Sequence, residues 1–310
     1  MKKLKRILKW TGIILLVLVT GTAIVTASRQ NMKYDAPYPE IHASKDSAVI
    51  SKGRHIANAI AHCNDCHSKS NNDSLLSLGQ DVPLSGGVGF TLPVGTIYSA
   101  NITSDSTYGI GKFTDPEVAR VLRYGVHPDG TVVYDFMPFH NLSDEDLIAV
   151  LSYLRTQKAV STPKPANDLN LMGNLVKAFL IKPVGPSEKI QAAVKPDSTA
   201  EYGKYLVYNV GNCNGCHTER TLSGVYTGEP FAGGNMMPNG MVTPNITPDS
   251  SSRIFGWTQQ SFIDRFRKGK LIPNTEMPWN SFKRMDDVEL KAIYQFLQTV
   301  KPAKTKLIPH

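Results

Sequence analysis

From Thr11 to Ala27 the chain is an apolar run, and no charge falls between Lys9 and Arg29, which leaves 19 uncharged residues in a row. A helix needs roughly 20 residues to cross the bilayer core, so the pattern predicts one membrane-crossing helix. Further along, apolar residues recur at helical spacing in four places. Two of these segments are Leu147, Val150, Leu151, Leu154 and Leu290, Ile293, Tyr294, Leu297. The other two are Ile56, Ala59, Ile60, Cys63 and Tyr202, Tyr205, Leu206, Val210, the last residue falling at i+8 rather than i+7. Ser143 with Asp146, and Asp286 with Glu289, supply helix-start signals ahead of the first two.

These helices belong to an internal repeat. Gly53-Arg54-His55-Ile56 leading to Cys63-Asn64-Asp65-Cys66-His67 returns as Gly203-Lys204-Tyr205-Leu206 leading to Cys213-Asn214-Gly215-Cys216-His217. Gly86-Gly87 is matched by Gly233-Gly234, Asn101-Ile102-Thr103 by Asn245-Ile246-Thr247, Phe113-Thr114 by Trp257-Thr258, and Arg123-Tyr124-Gly125 by Arg267-Lys268-Gly269. Each copy then shows a Met-Pro-aromatic triplet, Met137-Pro138-Phe139 and Met277-Pro278-Trp279, ahead of its last helix. Between the flanking helices lie Gly-, Pro- and Asn-rich loops, long enough to need an object to wrap. The repeat stops from Pro163 to Pro196, which marks a connector carrying one short apolar piece, Leu169 to Ile181. That piece suits a helix packed between domains or resting on a membrane surface. The expected organisation is a membrane or signal segment at 1–30, domains at 45–160 and 197–310, and a linker at 161–196.

Composition adds little beyond globularity. The formal charge is +8, but Lys2, Lys3, Lys5, Arg6 and Lys9 supply five of it, leaving about +3 for the rest, so no nucleic-acid partner is expected. Positive charge is retained on the cytoplasmic side, which sends everything after Arg29 outward. The result is a chain in the bacterial inner membrane with its domains in the periplasm. A cleaved signal ending near Val25-Thr26-Ala27 would give a soluble periplasmic form instead.

All four cysteines fall in two Cys-x-x-Cys-His motifs, the signature of c-type haem attachment. Two thiols three positions apart can each add to a porphyrin vinyl group, and the adjacent His then lies under the iron. One zinc shared by both pairs, a disulfide or a redox pair would not call for a His after each second cysteine. The expected cofactors are thus two covalently bound haem c groups, with iron ligands His67 and His217.

For the sixth iron position the matched Met137 and Met277, each followed by Pro, are the candidates, lying 70 and 60 residues after their histidines. His/Met ligation suits electron transfer. Met236, Met237 and Met241 are read as pocket packing with Met237 a rival, and His62, His127 and His140 as rivals in the first copy. Arg123, Arg267 and Trp257 are candidate donors to haem propionates.

In these residues the chain resembles tandem class I cytochrome c domains, and in particular the cytochrome c subunits of membrane-bound, quinone-linked alcohol and gluconate dehydrogenases. The phrases that carry the likeness are Ala100-Asn101-Ile102-Thr103 with Gly109 to Thr114, Pro244-Asn245-Ile246-Thr247 with Gly256-Trp257-Thr258, and Met-Pro before the last helix. The resemblance implies haem binding by Cys63, Cys66, His67 and Met137, then by Cys213, Cys216, His217 and Met277. It also implies an all-α fold of a few helices around each haem. Those subunits look like three-haem chains, whereas this one has two motifs and an N-terminal apolar segment. The expected role is electron transfer from a dehydrogenase or quinol-oxidising complex to a terminal oxidase or soluble cytochrome. The alternative is a dihaem enzyme of peroxidase or thiosulfate dehydrogenase type, with one catalytic haem.

Overall fold

A computed structural model describes residues 2–69, 73–221 and 224–305; the end of the second expected domain, at 306–310, lies outside them. The first helix, α1 (Lys2–Arg29), is exposed along nearly its whole length and is long and apolar enough to cross a membrane. The first repeat contains α2 (Ser47–His55), α3 (Cys63–His67), α4 (Asp73–Ser77), strands β1 (Gly89–Leu92) and β2 (Gly95–Tyr98), α5 (Asp115–Tyr124) and α6 (Asp144–Thr156). The connector holds β3 (Asp168–Leu169) and α7 (Leu171–Phe179). The second repeat contains α8 (Ala200–Tyr205), α9 (Cys213–His217), α10 (Gln259–Arg267), α11 (Trp279–Phe282) and α12 (Asp287–Thr299).

The expected start signals are in place. Ser143 accepts from the Asp146 amide, and Asp286 with Glu289 forms a reciprocal capping box, as do Thr114 and Glu117 at α5. α2 and α8 do not simply stop. Each runs on into one π turn, Ile56–Ile60 and Leu206–Val210, whose extra residue per turn explains the slip to i+8 at Val210.

In each repeat the first helix crosses the last, α2 on α6 and α8 on α12. The crossings are so close that a Cβ on Gly53 would stand 1.8 Å from the Ala149 carbonyl oxygen, and one on Gly203 would stand 2.0 Å from that of Ala292. Only glycine lets the backbones approach this far. Around the crossings Leu147, Leu151, Leu206 and Leu290 are fully buried.

One apolar core continues through both repeats. Across their junction, polar contacts pair equivalent positions. His55 meets Glu289 at 2.8 Å, and its counterpart Tyr205 donates to Asp146 at 2.5 Å. His62 packs edge-on against Phe282, the Asn64 amide donates to Ser281 at 3.1 Å, and Arg284 pairs with Asp81 at 2.9 Å.

The helix-rich architecture matches expectation, but a three-stranded antiparallel sheet, β1-β2-β3, occupies what reads in the sequence as loop. Phe90, Thr91, Thr96 and Ile97 favour extended chain, and Pro93-Val94 closes the hairpin with Leu92 opposite Gly95. β3 comes from the connector, so no local periodicity announces it.

Placing a methyl group at the second crossing, Gly203→Ala, is expected to lower holoprotein stability by about 1–3 kcal/mol, the usual result of overpacking. Chemical denaturation followed by far-ultraviolet circular dichroism checks this, and an unchanged midpoint would contradict the crossing geometry.

His55 gives a pH-dependent contact. Burial lowers its pKa, but the Glu289 hydrogen bond and the charges of Glu289 and Asp286 outweigh burial, so the value lies above the ordinary 6.5. The stabilisation is therefore fully present below pH 6.5 and is lost as pH rises through the raised folded value. Relative to His55→Gln, the native protein should gain roughly 1–2 kcal/mol at pH 6 and little at pH 9, as expected for a hydrogen bond to a charged group. Parallel pH profiles of the two proteins would rule the contact out as a titrating latch.

Candidate functional site

The two Cys-x-x-Cys-His motifs occupy equivalent turns with the same approach. After each π turn one residue enters the left-handed region, His62 at φ 42° and Asn212 at φ 51°, and this reverses the chain into α3 and α9. The cysteines thus sit just past a helix end, as their position in the repeat predicts. His67 and His217 are both buried.

Each histidine is clamped twice. The Nδ1 of His67 lies 2.7 Å from the Ala100 carbonyl oxygen, and that of His217 lies 2.8 Å from the Pro244 carbonyl oxygen. The backbone carbonyls of the same residues accept from Gly86 at 2.8 Å and Gly233 at 2.7 Å. Both glycines have positive φ, and a Cβ on Gly86 would stand 2.3 Å from the Ala100 carbonyl.

The Asn-Ile-Thr phrases hold the clamp in place. Asn101 Oδ1 accepts from the Thr103 amide and hydroxyl, and Asn245 Oδ1 does the same from Thr247. Their side-chain amides donate to carbonyls beyond the last helix, Val160 and Ala303. Each Asn therefore ties the loop carrying the clamping carbonyl to the far end of its repeat.

This arrangement fits a haem ligand. With Nδ1 donating to a carbonyl, Nε2 keeps the ring's lone pair, the atom a metal takes, and the second-shell bond fixes the ring plane. Burial pulls both imidazole pKa values down against the smaller effect of the carbonyl, so both rings stay neutral.

The thiols are not activated for exchange. Burial, with smaller contributions from Cys66 and Asp65, pushes Cys63 up to about 12, and burial with Asp65 and Cys216 pushes Cys66 to about 12. Cys213 also reaches about 12, through burial first and then Cys216. A redox pair needs a depressed pKa, so that reading of the motif falls. Among the described residues, the group of His, Cys, Asp and Glu atoms close enough to share one ion is His55, Asp286 and Glu289, with no cysteine in it. The repeats meet just ahead of the two attachment turns, where a Cβ on Gly211 would stand 3.7 Å from the Ile60 carbonyl oxygen.

Met137 and Met277 are half-buried and presented from irregular chain ahead of α6 and α12. Their carbonyls accept from Phe139 and Trp279, each at 2.8 Å, so the two triplets share one turn. Burial raises the Cys216 thiol, the charge of Arg220 opposes this and that of Glu276 adds to it. Met236 and Met241 are exposed on a turn bridged by Met236 and Val242, with the Met237 amide donating to Met241. His140 faces Asp135 at 3.0 Å, and His62 packs on Phe282.

Arg123 and Arg267 are otherwise employed than expected. Arg123 donates to the carbonyls of His140 and Leu142 and pairs with Asp144 at 2.7 Å. Arg267 donates to the Lys283 carbonyl at 2.7 Å and pairs with Asp287 at 2.5 Å. Both join the Met-Pro loop to the start of the following helix. Trp257 is half-buried against the core, and its carbonyl accepts from Tyr294. Instead, Trp279 Nε1 and Arg265 Nη2 are buried donors without a partner, and the Arg265 guanidinium stacks 3.6 Å from the Trp279 ring centroid. The repeat hides this pair, because the matching first-copy positions are Phe139 and Val121.

No protein-family model matches the chain. It is 30% identical to the fructose dehydrogenase cytochrome subunit of Gluconobacter japonicus, over 85% of this chain and 55% of that protein. The cytochrome c subunit of the quinone alcohol dehydrogenase of Gluconacetobacter polyoxogenes is 28% identical, over 83% of this chain and 57% of its own length. A dihaem c-type cytochrome of Cereibacter sphaeroides is 29% identical, over 75% of this chain and 77% of its own. The chain spans little more than half the length of the dehydrogenase subunits it matches. By its repeated sequence and over most of its length, the chain is similar to the cytochrome c subunits of fructose and quinone-linked alcohol dehydrogenases and to a dihaem c-type cytochrome.

Proposed function

We propose that this chain is a dihaem electron carrier, with one haem held by Cys63, Cys66, His67 and Met137 and the other by Cys213, Cys216, His217 and Met277. The observation that carries the reading is the duplicated clamp on His67 and His217. Domains at 45–160 and 197–310 follow from it, each wrapped around one haem and joined by 161–196. When bound, haem supplies a one-electron iron couple whose potential the protein tunes through ligands, burial and nearby charge.

The polypeptide's part is to hold and shield. The carbonyls of Ala100 and Pro244 fix each imidazole plane and make Nε2 a stronger donor. Met137 and Met277, stiffened by the following proline, would supply the second iron ligand of each haem through their thioether sulfurs. Saturated ligation leaves no open position for an organic substrate. The meeting of the two repeats at Ile60 and Gly211, just ahead of the attachment turns, supports direct electron exchange between the two haems.

The likeness to dehydrogenase subunits supports a membrane dehydrogenase as donor. A terminal oxidase or soluble cytochrome is the acceptor, and nucleic acid is no partner. Retained as an anchor, α1 holds the carrier at the inner membrane with both haems in the periplasm.

Ferric haem with sulfur ligation has a weak near-infrared band. Met137→Leu and Met277→Leu should each remove half of it and the double variant all of it, as read in the oxidised holoprotein. A full band in either single variant would show that another residue is the ligand, and a native haem without Met ligation would favour the catalytic alternative.

The Arg265 cation disfavours the additional charge of ferric iron, so Arg265→Leu should lower the potential of one haem by about 60 mV, the equivalent of about 1.4 kcal/mol for one electron. Arg267→Leu should leave both potentials in place while weakening the fold. Optical redox titration distinguishes these outcomes.

A further inference from the structure

The helix α7 is amphipathic in the wrong sense for a water-soluble surface. Leu171, Met172, Leu175, Val176, Phe179 and Leu180 fall on one arc, while Gly173, Asn174, Lys177 and Ala178 fall on the other. The small and polar arc faces the protein. Gly173 and Ala178 are buried, and a Cβ on Gly173 would meet the Val94 carbonyl oxygen at 2.0 Å. The apolar arc faces outward, with Leu171 78%, Leu180 59% and Met172 58% exposed. A surface helix of a water-soluble protein has the opposite arrangement.

Its neighbour tells what covers it. α7 packs against α1, where the Arg29 guanidinium lies 5.3 Å from the Phe179 ring centroid and the Gln30 side chain donates to the Asn174 carbonyl at 2.9 Å. Arg29 and Gln30 sit where the apolar run of α1 ends, which is the level of the lipid headgroups if α1 spans the bilayer. α7 is also fixed to the first repeat. Asn170, its cap, donates to Pro93, and β3 extends the β1-β2 sheet. The chain leaving α1 is held as well, by Arg120 donating to the carbonyls of Tyr34 and Ala36.

We propose that α7 lies in the outward-facing leaflet of the same bilayer, its apolar arc among the acyl chains, so that α1 and α7 together fix the orientation of the first repeat above the membrane. The inference rests on α1 being a retained anchor. Lys177 and Lys182 stand at headgroup level, where their amines reach phosphate while their stems cover apolar surface.

The test uses the full-length holoprotein in nanodiscs of phosphatidylcholine and phosphatidylglycerol, with a fraction of lipid carrying a diazirine in the acyl chain. After illumination, lipid adducts are mapped by peptide mass spectrometry. Adducts on both α1 and the 169–182 peptide are expected, with loss of the latter alone in Leu171→Glu/Leu180→Glu. Adducts on α1 but none on 169–182 would overturn the proposal and leave the anchor intact, as when a second copy or a partner protein covers the arc. Absence from both would overturn the anchor and the proposal together. Adducts on 169–182 alone would also overturn the proposal, because α1 would then not share the bilayer with α7.

Discussion

The glycine-mediated helix crossing is the constraint on which the rest of each repeat depends. Where Gly53 meets Ala149 and Gly203 meets Ala292, two backbones touch with no side chain between them. That contact sets where α2 and α8 end, and so where the π turn, the left-handed residue and the Cys-x-x-Cys-His turn must fall. The last helix of the crossing fixes the Met-Pro loop through Arg123 or Arg267, and the segment beyond it receives Asn101 or Asn245. A single close approach thereby places His67 or His217, its clamping loop and the Met-Pro loop in one frame. Because these groups are joined by hydrogen bonds of ordinary strength, each worth about 1 kcal/mol net, the frame depends on their number rather than on any one.

The two repeats are alike in frame and unlike in surroundings. His55 and Tyr205 stand at equivalent positions, and so do Asp146 and Glu289, yet one junction pair carries an imidazole whose pKa is held above 6.5 and the other a phenol. Burial, with the charge of Asp146, raises the Tyr205 phenol well above its ordinary value, so it remains a donor at every physiological pH. Half-buried Arg265 stacked on buried Trp279 adds a second asymmetry, present in one repeat alone. Arg265 puts a partly desolvated cation in the second repeat where the first has Val121, so the electrostatic surroundings of the two repeats differ.

Much of this was legible in the sequence because the chain states its architecture twice. A Gly-Gly, an Asn-Ile-Thr or a Met-Pro means little alone, but recurrence in the same order after Cys-x-x-Cys-His turned each into a structural expectation, and the helix caps at Ser143 and Asp286 formed as their spacing required. The same logic failed where the copies differ. Arg123 and Arg267 match, which made them look like propionate donors, but what they share is a bond across a loop. Arg265 and Trp279 stand opposite Val121 and Phe139, which carry no polar donor in their side chains, so the pair left no repeated signal. The small sheet escaped for another reason: β3 is two residues from a distant connector, and pairing of that kind leaves no periodicity to read.

The connector also shows how local pattern and tertiary context can point in opposite directions. From its sequence α7 is an ordinary amphipathic helix, and the default is to turn its apolar arc toward the core. Gly173 decides otherwise, because its missing side chain lets the helix approach the β1-β2 turn through its polar arc, where Asn170 completes the contact. Burying the apolar arc against protein instead would give up that approach and leave the Asn170 and Asn174 amides to be satisfied elsewhere. At roughly 25 cal/mol per Å² of apolar surface, an exposed face of this kind is costly in water and favourable in lipid. The orientation of α7 is therefore explained by the solvent on its outer side, and with α1 beside it that solvent is the bilayer.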